Sequence, residues 1–494
     1  MFFDRIGPMV ALSFLLVLAS ASAAQAAPQG CEPEWVTTLG NPGIADGYVA
    51  PMLAWDDGSG EQLYVGGSFS RVGGISAESV AAYDPDSRSW SPLGRGLASG
   101  FLTALTPFDD GNGDLLMVGG FFANAEGLPG TSGLAAWNGS TFASVGGGTD
   151  GNGAVWSLES SDYDGTNRLY IGGGFASYGG VTASCIASWD GRRVAPVGTG
   201  QGVQGSFNPF VTDIQAWDDG NGPALYIVGR YDTVDGVAAP VCSRFKHGAW
   251  ERVGAGLRVS SGLRHVETMT LYDDGNGEAL YVAGSPFIIN GVGGEHSVAR
   301  WDGNTWTPVG QNVGGRVTKL IGWDDGDGPR LYLGGTATPD IQYFAVLDGN
   351  TWVPAAGGVW DPPVPPSNFP SVFGLAEWNG DLLVGGNFTR VGPDKVTSNG
   401  IVMRTTCASP CTGRETLDIT CKPRGGDVYN LVAKIKRGPS GGKLTVRADG
   451  DPRTDRVVTL DNKGRGKAKL KKLAGPQHGV EIVECGVLVQ VRCL

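Results

Sequence analysis

The chain has 494 residues, a formal net charge of −12 at pH 7 and 41% hydrophobic residues. That apolar content is ordinary for a globular protein and excludes an intrinsically disordered chain. The 82 glycines follow no G-X-Y period, which excludes a collagen-like fibre and points to many short strands joined by tight turns.

Residues 1–26 have the pattern of a secretory signal, with a weakly charged start, an apolar run from Met9 to about Leu18 and small residues ending Ala24-Gln25-Ala26. No later run reaches the roughly 20 apolar residues of a membrane span. The expectation is a secreted protein without a transmembrane segment, either extracellular or periplasmic and cell-surface. All eight cysteines follow the expected cleavage point, and an even number in an oxidising compartment implies disulfides.

From residue 63 a unit repeats. LYVGG (63–67) has counterparts whose first Gly position falls at 119, 172, 228, 283, 334 and 385, with Val228 and Ala283 replacing Gly. Units of about 50 residues containing four short strands are the size of propeller blades. The fifth copy shows the four: VETMTLY (266–272), ALYVAG (279–284), SVARW (297–301) and TWTPVG (305–310). The seventh copy lacks its fourth strand, and EPEWVTTLG (32–40) is a fourth strand without a unit. The N-terminal strand should complete unit seven, with Trp35 in the place of Trp306 and Arg404 in that of Arg300. That pairing leaves no open inner edge, and it sets Cys31 and Cys407 at the ends of the missing turn, where a Cys31–Cys407 disulfide should replace it, with Cys411 as the rival partner. A Cys185–Cys242 disulfide is expected between units three and four.

LYVGGSFSRVGGISAESVAAYDPDSRSWSPLG (63–94) resembles the kelch repeat, with paired glycines, then Tyr83 and Trp90 at kelch-like spacing. It is similar, too, to the G-G-x-F-x-x-x-G-G repeats of secreted bacterial propellers and fungal Rax-type cortical surface proteins. The resemblance implies an all-β fold: a seven-bladed β-propeller over 27–407, closed by the N-terminal strand. Kelch-like propellers include enzymes and scaffolds, so it implies no single activity.

WDDGDG (323–328) and its copies offer carboxylates suited to calcium, with Asp109, Asp110, Asp273, Asp274, Asp324 and Asp325 as candidates. The EF-hand register is missing, and the third and seventh copies shrink to DYDGTN and WNGD, so a repeated turn is the favoured reading and no cofactor is expected. The aromatics after the glycine pairs (Phe69, Phe122, Phe175, Tyr231, Phe287, Phe388) read as packing rather than as sugar platforms. Asp213, Glu267, Glu159, Lys319 and Glu377 fall on innermost strands and are catalytic candidates if the protein is a hydrolase or lyase. The least repetitive segments, 257–267 and 358–370, offer Arg264, His265, Trp360 and Phe369 as ligand-binding candidates. With four histidines and no H-E-x-x-H or G-x-S-x-G, the parts for most enzymes are missing.

Beyond Cys407 the charge reverses. Residues 408–494 carry the runs expected of an immunoglobulin-like β-sandwich, about 80 residues long, cross-linked by Cys411, Cys421, Cys485 and Cys493 in an order that sequence leaves open. Its basic tract KGRGKAKLKK (463–472) reads as a half-solvated strand, with no interleaved aromatics for nucleic acid. The composite expectation is a monomeric binding or scaffold protein with a glycan or surface polymer as ligand; the alternative is a carbohydrate-active hydrolase or lyase using channel carboxylates.

Overall fold

A computed structural model describes residues 33–405, apart from 59, 152, 260–263, 327, 337 and 362–369, and from 416 onward seven strands with a few flanking residues. The expected signal segment, Phe369, Cys31, Cys407, Cys411, Cys485 and Cys493 lie outside the described residues. The fold is all-β, made of many small antiparallel sheets. Among the described residues no helix is long and apolar enough to cross a membrane.

Units one to four are each one antiparallel sheet of four strands in sequence order; unit five gains an extra strand, and units six and seven are joined by one bridge, Thr336 to Ser371. Unit four is typical: Phe210–Asp218, Pro223–Arg230, Cys242–Lys246 and Ala249–Arg252. The first strands are Tyr48–Asp56, Phe101–Asp109, Ala154–Ser161, Phe210–Asp218, Val266–Asp273, Arg316–Asp324 and Ser371–Trp378. Each contacts the first strand of the next unit, and the seventh returns to the first, so the seven close a cycle. Seven separate apolar clusters fill the spaces between successive sheets, including the space between units seven and one.

The paired glycines explain how closely the sheets approach. A Cβ on the first glycine would collide with the next unit's first strand: Gly66 with Leu102, Gly119 with Val155, Gly172 with Val211 and Gly385 with Val49. A Cβ on the second would strike the carbonyl at the start of its own first strand, as Gly67 would strike Tyr48 and Gly173 Ala154. That second contact coincides with a β-bulge found in every first strand, between Val211 and Asp213 in unit four for instance. A bulge bends the strand and re-aims its side chains.

Tryptophans fasten one unit to the next. On the fourth strands, Trp250, Trp306 and Trp352 donate through Nε1 to the carbonyls of Val197, Val253 and Val309 in the preceding unit, at 3.2, 3.1 and 3.1 Å. Trp35 does the same to Ala356 at 3.0 Å, although 321 residues separate them. The strand Trp35–Val36 pairs antiparallel with Ile401–Arg404, as expected. The register needs one correction: Trp35 lies opposite Arg404 as Trp306 lies opposite Trp301, so Arg404 takes the place of Trp301 and not of Arg300. Its guanidinium stands 5.3 Å over the Trp35 ring, a cation–π contact where unit five pairs two indoles.

The acidic tracts are turns held by their own hydrogen bonds. Asp218 Oδ1 accepts from the backbone N–H of Gly220 and Gly222, and Asp273 accepts in the same way from Gly275 and Gly277. The second Asp of the tract accepts a tyrosine hydroxyl from the adjoining strand: Tyr226 on Asp219, Tyr281 on Asp274, Tyr332 on Asp325. Among the described residues no group of three or more His, Cys, Asp or Glu converges as a metal set. The aromatics that follow the glycine pairs are buried to 6% exposure or less, so they are core and not platform.

Cys185 and Cys242 do not form the expected disulfide; both are buried free thiols. Their shared orientation explains the correction. Cys185 faces forward into the cluster between units three and four, where its thiol donates to Pro209 O at 3.2 Å, while Cys242 faces forward into the cluster between units four and five.

From 416 the seven expected strands form a three-stranded sheet (Thr416–Pro423, Val428–Lys436, Gly466–Ala474) and a four-stranded one (Asp451–Thr459, Lys443–Ala448, Gln477–Ile482, Val487–Arg492), both feeding one apolar cluster. Ala468, Leu470 and Leu473 of the basic tract are buried in it. Cys421 is disulfide-bonded.

Candidate functional site

Where the first strands begin, all seven units border one cavity of about 620 Å³. Its construction is repetitive. The second residue of each first strand, or the residue aligned with it, is Val49, Leu102, Val155, Val211, Val266, Val317 or Val372, each fully buried between sheets. Side chains alternate along a strand, so the residues flanking this apolar column face the cavity. The preceding column supplies Tyr48, Phe101, Phe210, His265 and Arg316; the following one supplies Ala50, Thr103, Trp156, Thr212, Glu267, Thr318 and Phe373.

The threonines of the second set are committed to holding sheets together. Thr103 Oγ1 donates to Val155 O and Thr212 Oγ1 to Val266 O, both at 2.7 Å and both in the next unit, and Thr318 donates likewise to Val372 O. The remaining large side chains divide the wall in two. Phe373, Tyr48, Phe101, Trp156 and Phe210, from units seven and one to four, form an aromatic arc, with ring centroids 4.9 Å apart for Tyr48–Phe373 and 5.9 Å for Phe101–Trp156. All five are half-buried, neither core nor fully exposed.

Units five and six supply an ionic arc. Glu267 Oε1 lies 2.6 Å from His265 Nε2 and 3.0 Å from Arg316 Nη1. Burial alone raises the Glu267 carboxyl, but the close contact with His265 and the charges of Arg316 and Lys319 outweigh it and hold it below the ordinary range. His265 packs edge-on against Phe210 at 5.1 Å, joining the two arcs.

Asp213 borders the cavity but is committed to structure. Oδ1 accepts from Ser157 Oγ of unit three (3.1 Å) and from its neighbour Ile214 N (3.0 Å); Oδ2 accepts from Met269 N (2.8 Å) and Thr268 Oγ1 (3.2 Å) of unit five. One carboxylate therefore ties three sheets together.

Glu159 does not line the cavity; it lies further along its strand and accepts from Ala216 N of unit four at 3.0 Å. Burial pushes its carboxyl up to about 7, and the charge of Asp213 adds to the rise. Between the ordinary 4.5 and about 7 the folded chain keeps a proton that the unfolded chain has lost, so stability falls as pH rises through that window. Glu159→Gln is expected to stabilise the protein at pH 7.5 by roughly 2–3 kcal/mol, with little effect at pH 4.5. Urea unfolding midpoints at the two pH values check this, and an equal gain at both would assign the effect to packing instead.

Of the residues singled out from sequence, the structure brings His265, Glu267, Asp213 and Lys319 to the cavity. Arg264 is paired with Glu295 at 2.5 Å, and Glu377 is exposed on its strand's far end. Trp360 lies outside the cavity lining, its Nε1 donating to Gly357 O and Gly392 O and its ring under Lys395 Nζ at 4.4 Å. The aromatic arc was missed. Aligning the first strands on their buried second residue (YVA, FLT, AVW, FVT, HVE, RVT, SVF) exposes it directly. In comparisons with known proteins, no protein-family model and no curated protein matches the chain.

Proposed function

We propose that residues 33–405 form a seven-bladed, kelch-like β-propeller closed by its N-terminal strand, that an immunoglobulin-like sandwich follows, and that the whole is an exported binding protein whose central cavity takes a saccharide. The closed cycle of first strands and the inter-unit tryptophans support the propeller. The strand orders of the C-terminal sheets, 1-2-5 and 4-3-6-7 in chain order, support the sandwich.

The observation that carries the binding reading is the aromatic arc. Five half-buried rings in a seven-unit wall place flat apolar surface beside convergent polar groups, the composition of a pre-formed small-molecule site. Sugar rings present apolar C–H faces that lie flat on aromatic rings, and hydroxyls at their edges that Glu267 and His265 can meet.

The hydrolase reading has less support. Asp213 spends both oxygens on four donors, Glu267 is enclosed by cations, and Glu159 stands outside the lining. An acid and a base with freedom to act on one bond are not brought together in this wall.

A glycan array followed by calorimetry tests the proposal. Saturable binding is expected, weakened at least tenfold, or about 1.4 kcal/mol, by Trp156→Ala and again by Phe101→Ala, with substrate recovered intact. Retention of no saccharide would overturn it. Cleavage abolished by Glu267→Gln would replace it with the hydrolase reading.

A further inference from the structure

We infer that the saccharide bound in this cavity is acidic, carrying one monoanionic group, a carboxylate or a sulfate ester, that docks on Lys319. The inference rests on the saccharide reading above and adds the ligand's charge and orientation.

Lys319 is the fourth residue of unit six's first strand, just past the bulge, and its half-buried side chain borders the cavity. Among the described residues no hydrogen bond or ion pair engages its ammonium; it feels Glu267 only through space. The other charges of the wall are matched. Glu267 is met by Arg316 and His265, and Asp213 by its four donors. Lys319 is therefore the unmatched charge of the ionic arc, in a space enclosed on its other side by aromatic rings. An anion bound there would give the ammonium the partner that the wall does not supply. Arg316 lines the same cavity with its side chain 41% exposed and Nη1 on Glu267, which leaves the rest of its guanidinium for an anion held in this arc. One ammonium and part of one guanidinium suit a single negative charge better than a phosphate dianion. With the anion at units five and six, the sugar ring extends toward Trp156 and Phe101 on the aromatic arc.

The test is calorimetric titration of the mature protein with three oligosaccharides of equal length: one neutral, one of uronic acids and one sulfated. Each is run at low and at moderate salt. At least one acidic ligand is expected to bind tenfold or more tighter than the neutral one, with salt narrowing the difference, and which acidic ligand wins identifies the anion. Lys319→Met, which keeps the aliphatic stem, should bring the acidic ligand down to the neutral one's affinity; Lys319→Arg should restore the preference. Thermal melts of both variants confirm folding. Equal affinity for neutral and acidic ligands in the unmodified protein, or a preference that survives Lys319→Met, overturns this inference and leaves the saccharide reading standing. Binding of none of the three overturns both.

Discussion

Asp213→Ala is expected to destabilise the seven-sheet body by about 2–4 kcal/mol, below the 3–5 for breaking a fully buried charged network because Asp213 is half-buried at the cavity wall. The residue was a catalytic candidate from sequence, and the structure assigns it a different task. Its two oxygens accept from Ser157, Ile214, Thr268 and Met269, so that units three, four and five meet at one carboxylate. Truncation removes the acceptor of the Met269 amide and of two hydroxyls, and each buried donor left unsatisfied costs about 1–3 kcal/mol. Asp213→Asn should be nearly as harmful, because one of its two acceptors becomes a donor aimed at donors. Guanidinium unfolding followed by tryptophan fluorescence measures the loss. A variant as stable as the parent that had lost only ligand binding would return Asp213 to the binding machinery.

The repeat was legible because it is written in glycine pairs and acidic turns whose steric and hydrogen-bonding demands recur in nearly every unit. A Cβ at Gly66 or Gly385 has nowhere to go, and the N–H groups of Gly220 and Gly222 need the carboxylate of Asp218. The cavity was only partly legible because its residues vary among units. Reading charge on the innermost strands found Asp213, Glu267 and Lys319, yet charge alone does not separate a carboxylate that joins sheets from one that faces open space. The aromatic arc stayed hidden because Tyr48, Phe101 and Phe210 precede the buried column whereas Trp156 and Phe373 follow it, so no single repeat position is aromatic throughout, although alternation sends both positions to one surface. The Cys185–Cys242 pairing failed for a separate reason, the local backbone of Cys185. Cys185 has left-handed backbone, with φ of 68°, and strand alternation does not apply to it.

Trp35→Ala is expected to cost about 2–3 kcal/mol, somewhat below the 3–5 of a fully buried tryptophan because Trp35 is half-buried. It should also loosen the closure of the ring, which truncating a tryptophan within a continuous unit would not do. Three contacts disappear: the Nε1 bond to Ala356, the packing on Phe344 at 6.0 Å between ring centroids, and the cation–π contact with Arg404. What remains of the strand is short. Trp35 and Val36 pair with Arg404 and Met403, and beyond them Glu34 and Thr405 exchange bonds of 2.9 and 3.0 Å at an exposed end. In unit five a hairpin holds the equivalent strand beside its partner, so Trp306→Ala should lower global stability while the pairing persists. In unit seven no hairpin exists, and the two strands come from positions some 370 residues apart in the chain. Losing the indole should therefore let residues 33–36 detach at a free energy well below that of global unfolding, baring the edge of Ile401–Arg404 to other chains. Hydrogen exchange separates the two outcomes. The Thr405 amide, which donates to Glu34 O, should exchange far faster in Trp35→Ala than in Trp306→Ala at matched global stability, and the Trp35 variant should self-associate as concentration rises. Equal protection of that amide in the two variants would mean that the ring is held shut by something other than this strand.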